Sequence, residues 1–124
     1  MNLRFKIAAA GVAVAVVGIL IWLVVTATRD PAPAVPMSEL PPQAAQTWQL
    51  IRQGGPFPYP QDGQPFPNRD GVLPGKPDGY YREYAVPTPD EPDRGNRRLV
   101  TGEGGELYYT ADAFRSFLPV DPDR

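Results

Sequence analysis

A carboxylate stands in the middle of the run Tyr80-Tyr81-Arg82-Glu83-Tyr84-Ala85-Val86, whose other members apart from Arg82 are apolar or aromatic. Arg94, Arg97 and Arg98 follow within five positions of one another. Two readings fit these charges. In the first, Glu83 faces water and the arginines pair with Asp90, Glu91 and Asp93 on the surface. In the second, Glu83 and Arg98 lie on adjacent antiparallel strands and share one face. A carboxylate can take a proton and a guanidinium can hold an oxyanion, so that juxtaposition is a base beside an anion clamp.

Other chemistries are closed off by composition. The chain has neither Cys nor His, which removes nearly every zinc, haem and iron-sulfur arrangement. No phosphate loop, dinucleotide fingerprint or nucleophile elbow is present. Without residues 1–27, which hold Arg4, Lys6 and no acid, ten basic and fourteen acidic side chains remain, a net charge of −4. An acidic total argues against broad electrostatic capture of nucleic acid but leaves room for a local cationic pocket.

The elements that must position Glu83 and the arginines follow from periodicity. Residues 80–86 alternate two faces, Tyr81, Glu83 and Ala85 against Tyr80, Arg82, Tyr84 and Val86, as a strand does. Arg97–Thr101 and Glu106–Thr110 read as a hairpin about a turn at Gly102–Gly105. Ala44, Trp48 and Ile51 share one face of a helix over Gln43–Gln53, started by Pro41-Pro42 and stopped by Gly54-Gly55. Between them, residues 54–79 hold too much Gly and Pro for a regular element, with Phe57, Tyr59, Phe66, Val72 and Leu73 available to pin an ordered loop. The expected fold class is α+β: one N-terminal helix packed on an antiparallel sheet, residues 38–124, with an aromatic core and no internal repeat.

Upstream, Arg4 and Lys6 precede Ile7–Val25, nineteen residues without a charge. A secretory apolar region usually spans about 7 to 15 residues, while a membrane crossing takes roughly 17 to 25. Residues 7–25 therefore suit a membrane anchor, although Val25-Thr26-Ala27 also suits signal cleavage. Either way residues 1–27 direct the domain outward, secreted or anchored. Residues 28–37, rich in Pro and Ala, are expected to be an extended spacer.

A family resemblance rests on Leu40-Pro41-Pro42, Gly55-Pro56-Phe57-Pro58-Tyr59, Gln61-Asp62-Gly63, Phe66-Pro67-Asn68-Arg69-Asp70, Val72-Leu73-Pro74, Gly79-Tyr80-Tyr81-Arg82-Glu83-Tyr84, Arg94-Gly95-Asn96-Arg97-Arg98, Thr101-Gly102 and Tyr108-Tyr109-Thr110. In order and spacing these stretches resemble the small microbial guanyl-specific ribonucleases, the group of barnase and ribonuclease Sa. The resemblance implies cleavage of single-stranded RNA after guanosine through a 2',3'-cyclic phosphate, with no cofactor and no metal. It makes Glu83 the base, Arg94 and Arg98 the phosphate clamp, and Phe66, Asn68, Arg69 and Asp70 the guanine loop, with Phe66 over the base and Asp70 accepting from it. Tyr109 and Phe114 are further substrate-binding candidates. The partners implied are RNA or a guanine nucleotide and a barstar-like inhibitor protein, bound by a monomer.

Three departures stand out. Where the family reads Asp-His-Tyr, this chain reads Asp112-Ala113-Phe114; Ala113 thus takes the place of the histidine that protonates the leaving 5'-oxygen, and Phe114 lacks the neighbouring hydroxyl. Asp70 is one methylene shorter than the usual glutamate. The cysteine pair that ties the ends of the domain is missing. Three functions are therefore set against each other: a ribonuclease working slowly or with a substitute acid, for which Asp112 or Tyr109 is the nearest candidate, a binding module for guanine nucleotide or RNA, and an interaction scaffold. For Asp112 to serve, its pKa must rise well above about 3.9.

Overall fold

A computed structural model describes residues 33–91 and 93–124. The expected export or anchor segment and half of the spacer, residues 28–32, lie outside the described residues, among which no helix is long and apolar enough to cross a membrane. The elements are β1 (Val35–Pro36), a 3-10 turn (Met37–Glu39), α1 (Pro42–Gln53), β2 (Gln64–Pro65), β3 (Tyr81–Ala85), β4 (Arg98–Gly102), β5 (Leu107–Thr110) and β6 (Leu118–Asp121). They form one helix packed on a six-stranded sheet of order β1-β6-β5-β4-β3-β2, an α+β fold.

Helix α1 begins with Pro42 in its first turn and ends where Gly54 turns left-handed, at φ 79°. The Gly54 and Gly55 N–H groups then donate to the Ile51 and Leu50 carbonyls, the paired closure that a residue without Cβ permits. Ala44 is fully buried against Val86, Leu99, Leu107, Tyr109 and Val120, with Trp48 and Ile51 packed beside it. Thr47, also on this face, donates from its hydroxyl to the Ala85 carbonyl at 3.2 Å. Burying one aliphatic side chain such as Leu99 stabilises by about 1.5–3 kcal/mol.

Strands β3 and β4 pair in register, Glu83 opposite Val100 and Ala85 opposite Arg98; β4 and β5 place Leu99 opposite Tyr109 and Val100 opposite Tyr108. Side chains alternate across a strand, so Leu99 and Tyr109 enter the core under α1 while Val100, Tyr108 and Tyr81 enter a second cluster on the other face. There they meet Leu73, Phe66, Phe114 and Phe117. Glu83 and Arg98 share that second face by strand parity.

The sheet is mixed, not wholly antiparallel as expected: β1 runs parallel to β6, Val35 opposite Val120 and Pro36 opposite Asp121. Val35 and Pro36 therefore belong to the sheet and not to the spacer. This ladder joins the two ends of the domain, the task expected of a cysteine pair. Within the long loop, β2 adds a short edge, Gln64 opposite Glu83. Leu73 pins the loop, whereas Val72 is 48% exposed.

Candidate active site

The second face of β3 and β4 gathers the charged residues. Arg94 Nη2 donates to Glu83 Oε1 at 3.1 Å, and the same nitrogen lies 3.9 Å from Asp62 Oδ1. Glu83 is therefore partnered by Arg94, four positions before the Arg98 that the strand pairing suggested, and Arg98 takes a different place. Arg98 is only 8% exposed. Its Nη1 donates to the carbonyls of Arg94, Gly95 and Arg97 at 3.2, 2.9 and 2.8 Å, and among the described residues no carboxylate lies within 4.0 Å of it. Burial, and then the Arg94 charge, pull the Arg98 guanidinium below its ordinary pKa, with Glu83 and Asp62 pulling back. The Nε–H groups of both arginines are buried without a partner among the described residues. Two convergent guanidinia with unsatisfied donors are suited to an oxyanion.

Beside this cluster lies a cleft of about 320 Å³ lined by Phe66, Pro67, Asn68, Arg69, Asp70, Val72, Ala113, Phe114 and Arg115. The expected base loop and the Ala113-Phe114 pair thus come to one place. Asn68 adopts φ 52°; its side chain donates to the Leu73 carbonyl at 2.9 Å and accepts from the Leu73 N–H at 3.1 Å. That side chain braces its own loop. Asp70 and Arg69 are exposed. Phe66 stacks on Phe114, centroids 4.8 Å apart at 23°, and the Arg98 guanidinium carbon lies 5.8 Å from the Phe114 ring centre. Phe114 therefore bridges the cleft to the clamp.

Residues 110–116 carry Ala113 and Phe114 in left-handed conformations, φ 56° and 69°. Buried Thr110 holds them there: its hydroxyl accepts from the N–H of Asp112 and of Phe114 and donates to Asp112 Oδ1 at 2.8 Å. The Ala113 N–H donates to the Asn96 carbonyl at 3.0 Å, joining this loop to the arginine loop.

Neither substitute acid survives. Asp112 accepts from the Ser116 hydroxyl, the Ser116 N–H and the Thr110 hydroxyl, and these bonds lower its pKa to about 2. It is a fixed anion, the reverse of what a proton donor needs. Tyr109 is 5% exposed and packs under α1; it is a core residue, not a substrate-binding one, because adjacent tyrosines on β5 point to opposite faces.

Asp62 and Thr110 were not anticipated. The Asp62 side chain is 1% exposed and accepts from the Ala85 and Tyr59 N–H groups at 2.8 and 3.3 Å. The signal available for it was a carboxylate set between the glycines and prolines of residues 54–65. It holds the loop against β3 and leaves Arg94 between two acids.

Glu83, Arg94 and Arg98 gathered beside an aromatic cleft are an arrangement suited to proton transfer at an oxyanion. A family model described as ribonuclease matches residues 24–121, and the chain belongs to that ribonuclease family. It is 54% identical over 83 residues to the guanyl-specific ribonuclease St of Saccharopolyspora erythraea, spanning 67% of this chain and 82% of that protein. It is 50% identical over 93 residues to the guanyl-specific ribonuclease Sa of Kitasatospora aureofaciens, spanning 74% and 97%. A structure of ribonuclease Sa2 in complexes with mononucleotides superposes with a TM-score of 0.72 at 48% identity, covering 77% of this chain and all of that one.

Proposed function

We propose that this chain is an exported, guanyl-preferring endoribonuclease that keeps the base and the phosphate clamp of the reaction and lacks a positioned general acid. The observation that carries this reading is the contact of Glu83 with Arg94 at 3.1 Å beside buried Arg98, opening on the Phe66–Asp70 cleft.

Guanine enters that cleft, with Asp70 accepting from its amino edge and backbone amides near Asn68 and Arg69 donating to its carbonyl. The 3'-phosphate lies on Arg94 and Arg98. Glu83 takes the 2'-hydroxyl proton, the 2'-oxygen bonds to phosphorus, and the bond from phosphorus to the 5'-oxygen breaks. The 2',3'-cyclic phosphate and a 5'-hydroxyl result. The arginines neutralise charge on the phosphoryl oxygens as it grows. With Ala113 where an acid would stand, the departing oxygen takes its proton from water, a loss worth about 10² to 10⁴ in rate.

A second reading, a protein that binds guanine nucleotide without useful turnover, is favoured by one observation: Asp112 is held as an anion and Tyr109 faces away, so neither replaces the acid. Cleavage of a guanosine dinucleotide separates the two. The first reading expects slow turnover that Glu83→Ala removes and Ala113→His accelerates. Equal inertness of the native and Glu83→Ala proteins, with retained binding of guanosine 3'-monophosphate, selects the second. Export is supported by Arg4 and Lys6 ahead of the uncharged Ile7–Val25 run; the mature N-terminus of the secreted or membrane-bound protein tests it.

A further inference from the structure

The proposed function, on which this inference rests, leaves the departing 5'-oxygen beside Ala113 with no group to take up its charge. Arg115 stands next to that place. Consecutive residues of an extended chain point to opposite faces, but Ala113 and Phe114 are both left-handed, at φ 56° and 69°, and Ala113, Phe114 and Arg115 all line the base cleft. The turn is fixed on both sides of Arg115. The Phe114 N–H donates to the Thr110 hydroxyl at 3.2 Å, and the Ser116 N–H donates to Asp112 Oδ1 at 2.9 Å. Arg115 itself is exposed, and among the described residues no carboxylate lies within 4.0 Å of its guanidinium. Asp112, the acid nearest to it in the chain, already accepts from Ser116 and Thr110. The wall of the cleft beside the alanine therefore carries a cation that no acid neutralises.

We propose that Arg115 is a catalytic residue on the leaving-group side, where its guanidinium hydrogen-bonds the 5'-oxygen and steadies the charge that a histidine would quench with a proton. A guanidinium does not surrender a proton in a protein, so the assistance is electrostatic. The 2'-oxygen bonds to phosphorus, its proton goes to Glu83, and the bond from phosphorus to the 5'-oxygen breaks. That oxygen, held by Arg115, takes a proton from water. The hydroxide left behind is neutralised by the proton that Glu83 returns to solvent. Arg94 and Arg98 thus serve the non-bridging oxygens and Arg115 the bridging one. Arg69, the other arginine of the cleft, belongs to the base loop.

Leaving groups separate this role from substrate binding. The measurement is steady-state cleavage of guanylyl-cytidine and of the 4-nitrophenyl ester of guanosine 3'-phosphate by the native chain, Arg115→Gln and Arg115→Lys, each also combined with Ala113→His. Arg115→Gln is expected to lower kcat for the dinucleotide about tenfold with KM nearly unchanged. The aryl oxide departs without help, so its ester should be cleaved at the native rate. Arg115→Lys keeps the cation and should keep most of the dinucleotide rate. Once Ala113→His supplies a proton, the tenfold loss should shrink to about twofold. Equal losses on both substrates assign Arg115 to binding or folding and overturn the proposal, as does a dinucleotide rate that Arg115→Gln leaves unchanged. A native chain that cleaves the aryl ester and no dinucleotide also overturns it, with the ribonuclease reading left standing. Failure of both the native and Ala113→His chains on both substrates sinks the ribonuclease reading, and this inference with it.

Discussion

Glu83 and Arg98 sit on one face of two paired strands, yet the bonds they make give them separate duties. Glu83 is held by Arg94, and Arg98 is held by three backbone carbonyls with no carboxylate paired to it among the described residues. Glu83→Ala is expected to lower cleavage of a guanosine substrate by about 10² to 10⁴ without lowering affinity for guanosine 3'-monophosphate. Arg98→Gln is expected to lower both, with about 10² to 10³ lost from kcat; steady-state kinetics and calorimetric titration separate the two. Asp112 makes a different prediction. Its pKa is depressed from 3.8 to about 2, so what it contributes to stability is fully present above 3.8 and is lost as pH falls through 2. The melting temperature of Asp112→Ala should fall furthest below that of the native chain above pH 5, and the gap should narrow toward pH 2. A gap that widens on acidification contradicts the assignment.

The loop 66–74 and the loop 110–116 are the elements that place the base cleft. Asn68→Ala removes both bonds to Leu73 and puts alanine at φ 52°. Binding of guanosine 3'-monophosphate should weaken by about tenfold and KM should rise more than kcat falls; unchanged binding means that the loop holds its shape without this brace. Much of this scale was legible beforehand. The period-two alternation of residues 80–86 and the helical face of Ala44, Trp48 and Ile51 each report a repeated burial, and both elements stand within a residue of where that pattern placed them. The parallel pair Val35–Pro36 with Val120–Asp121 was not legible, because two residues carry no period and a proline reads as spacer. Tyr109 was misassigned for a related reason: Tyr108 and Tyr109 are chemically identical, and only the register of β5 on β4 decides which one enters the core. The bond set that fixes Asp112 as an anion depends on the fold of residues 110–116, to which local spacing is blind.

Across the whole domain, the sheet divides stability from chemistry. One face and α1 form a core around Leu99 and Val86, the other face carries the clamp, and the ends are joined at β1 and β6, the edge away from β2 and β3. Removing residues 33–36 from the domain should lower stability by about 1–2 kcal/mol, from lost burial of Val35 and its ladder, while leaving the rate at the clamp unchanged. A thermal melt and a cleavage assay on the same sample check both halves. The retained base and clamp with a missing acid also predict a particular dependence on leaving group. An aryl oxide departs at neutral pH without a proton, and a 5'-alkoxide does not. The decisive measurement compares a 4-nitrophenyl ester of guanosine 3'-phosphate with guanylyl-cytidine as substrates for the native and Ala113→His domains. The native domain should cleave the aryl ester readily and the dinucleotide slowly, and Ala113→His should raise the dinucleotide rate by about 10² to 10⁴ while leaving the aryl ester nearly unchanged. An aryl ester left untouched by both proteins contradicts the account.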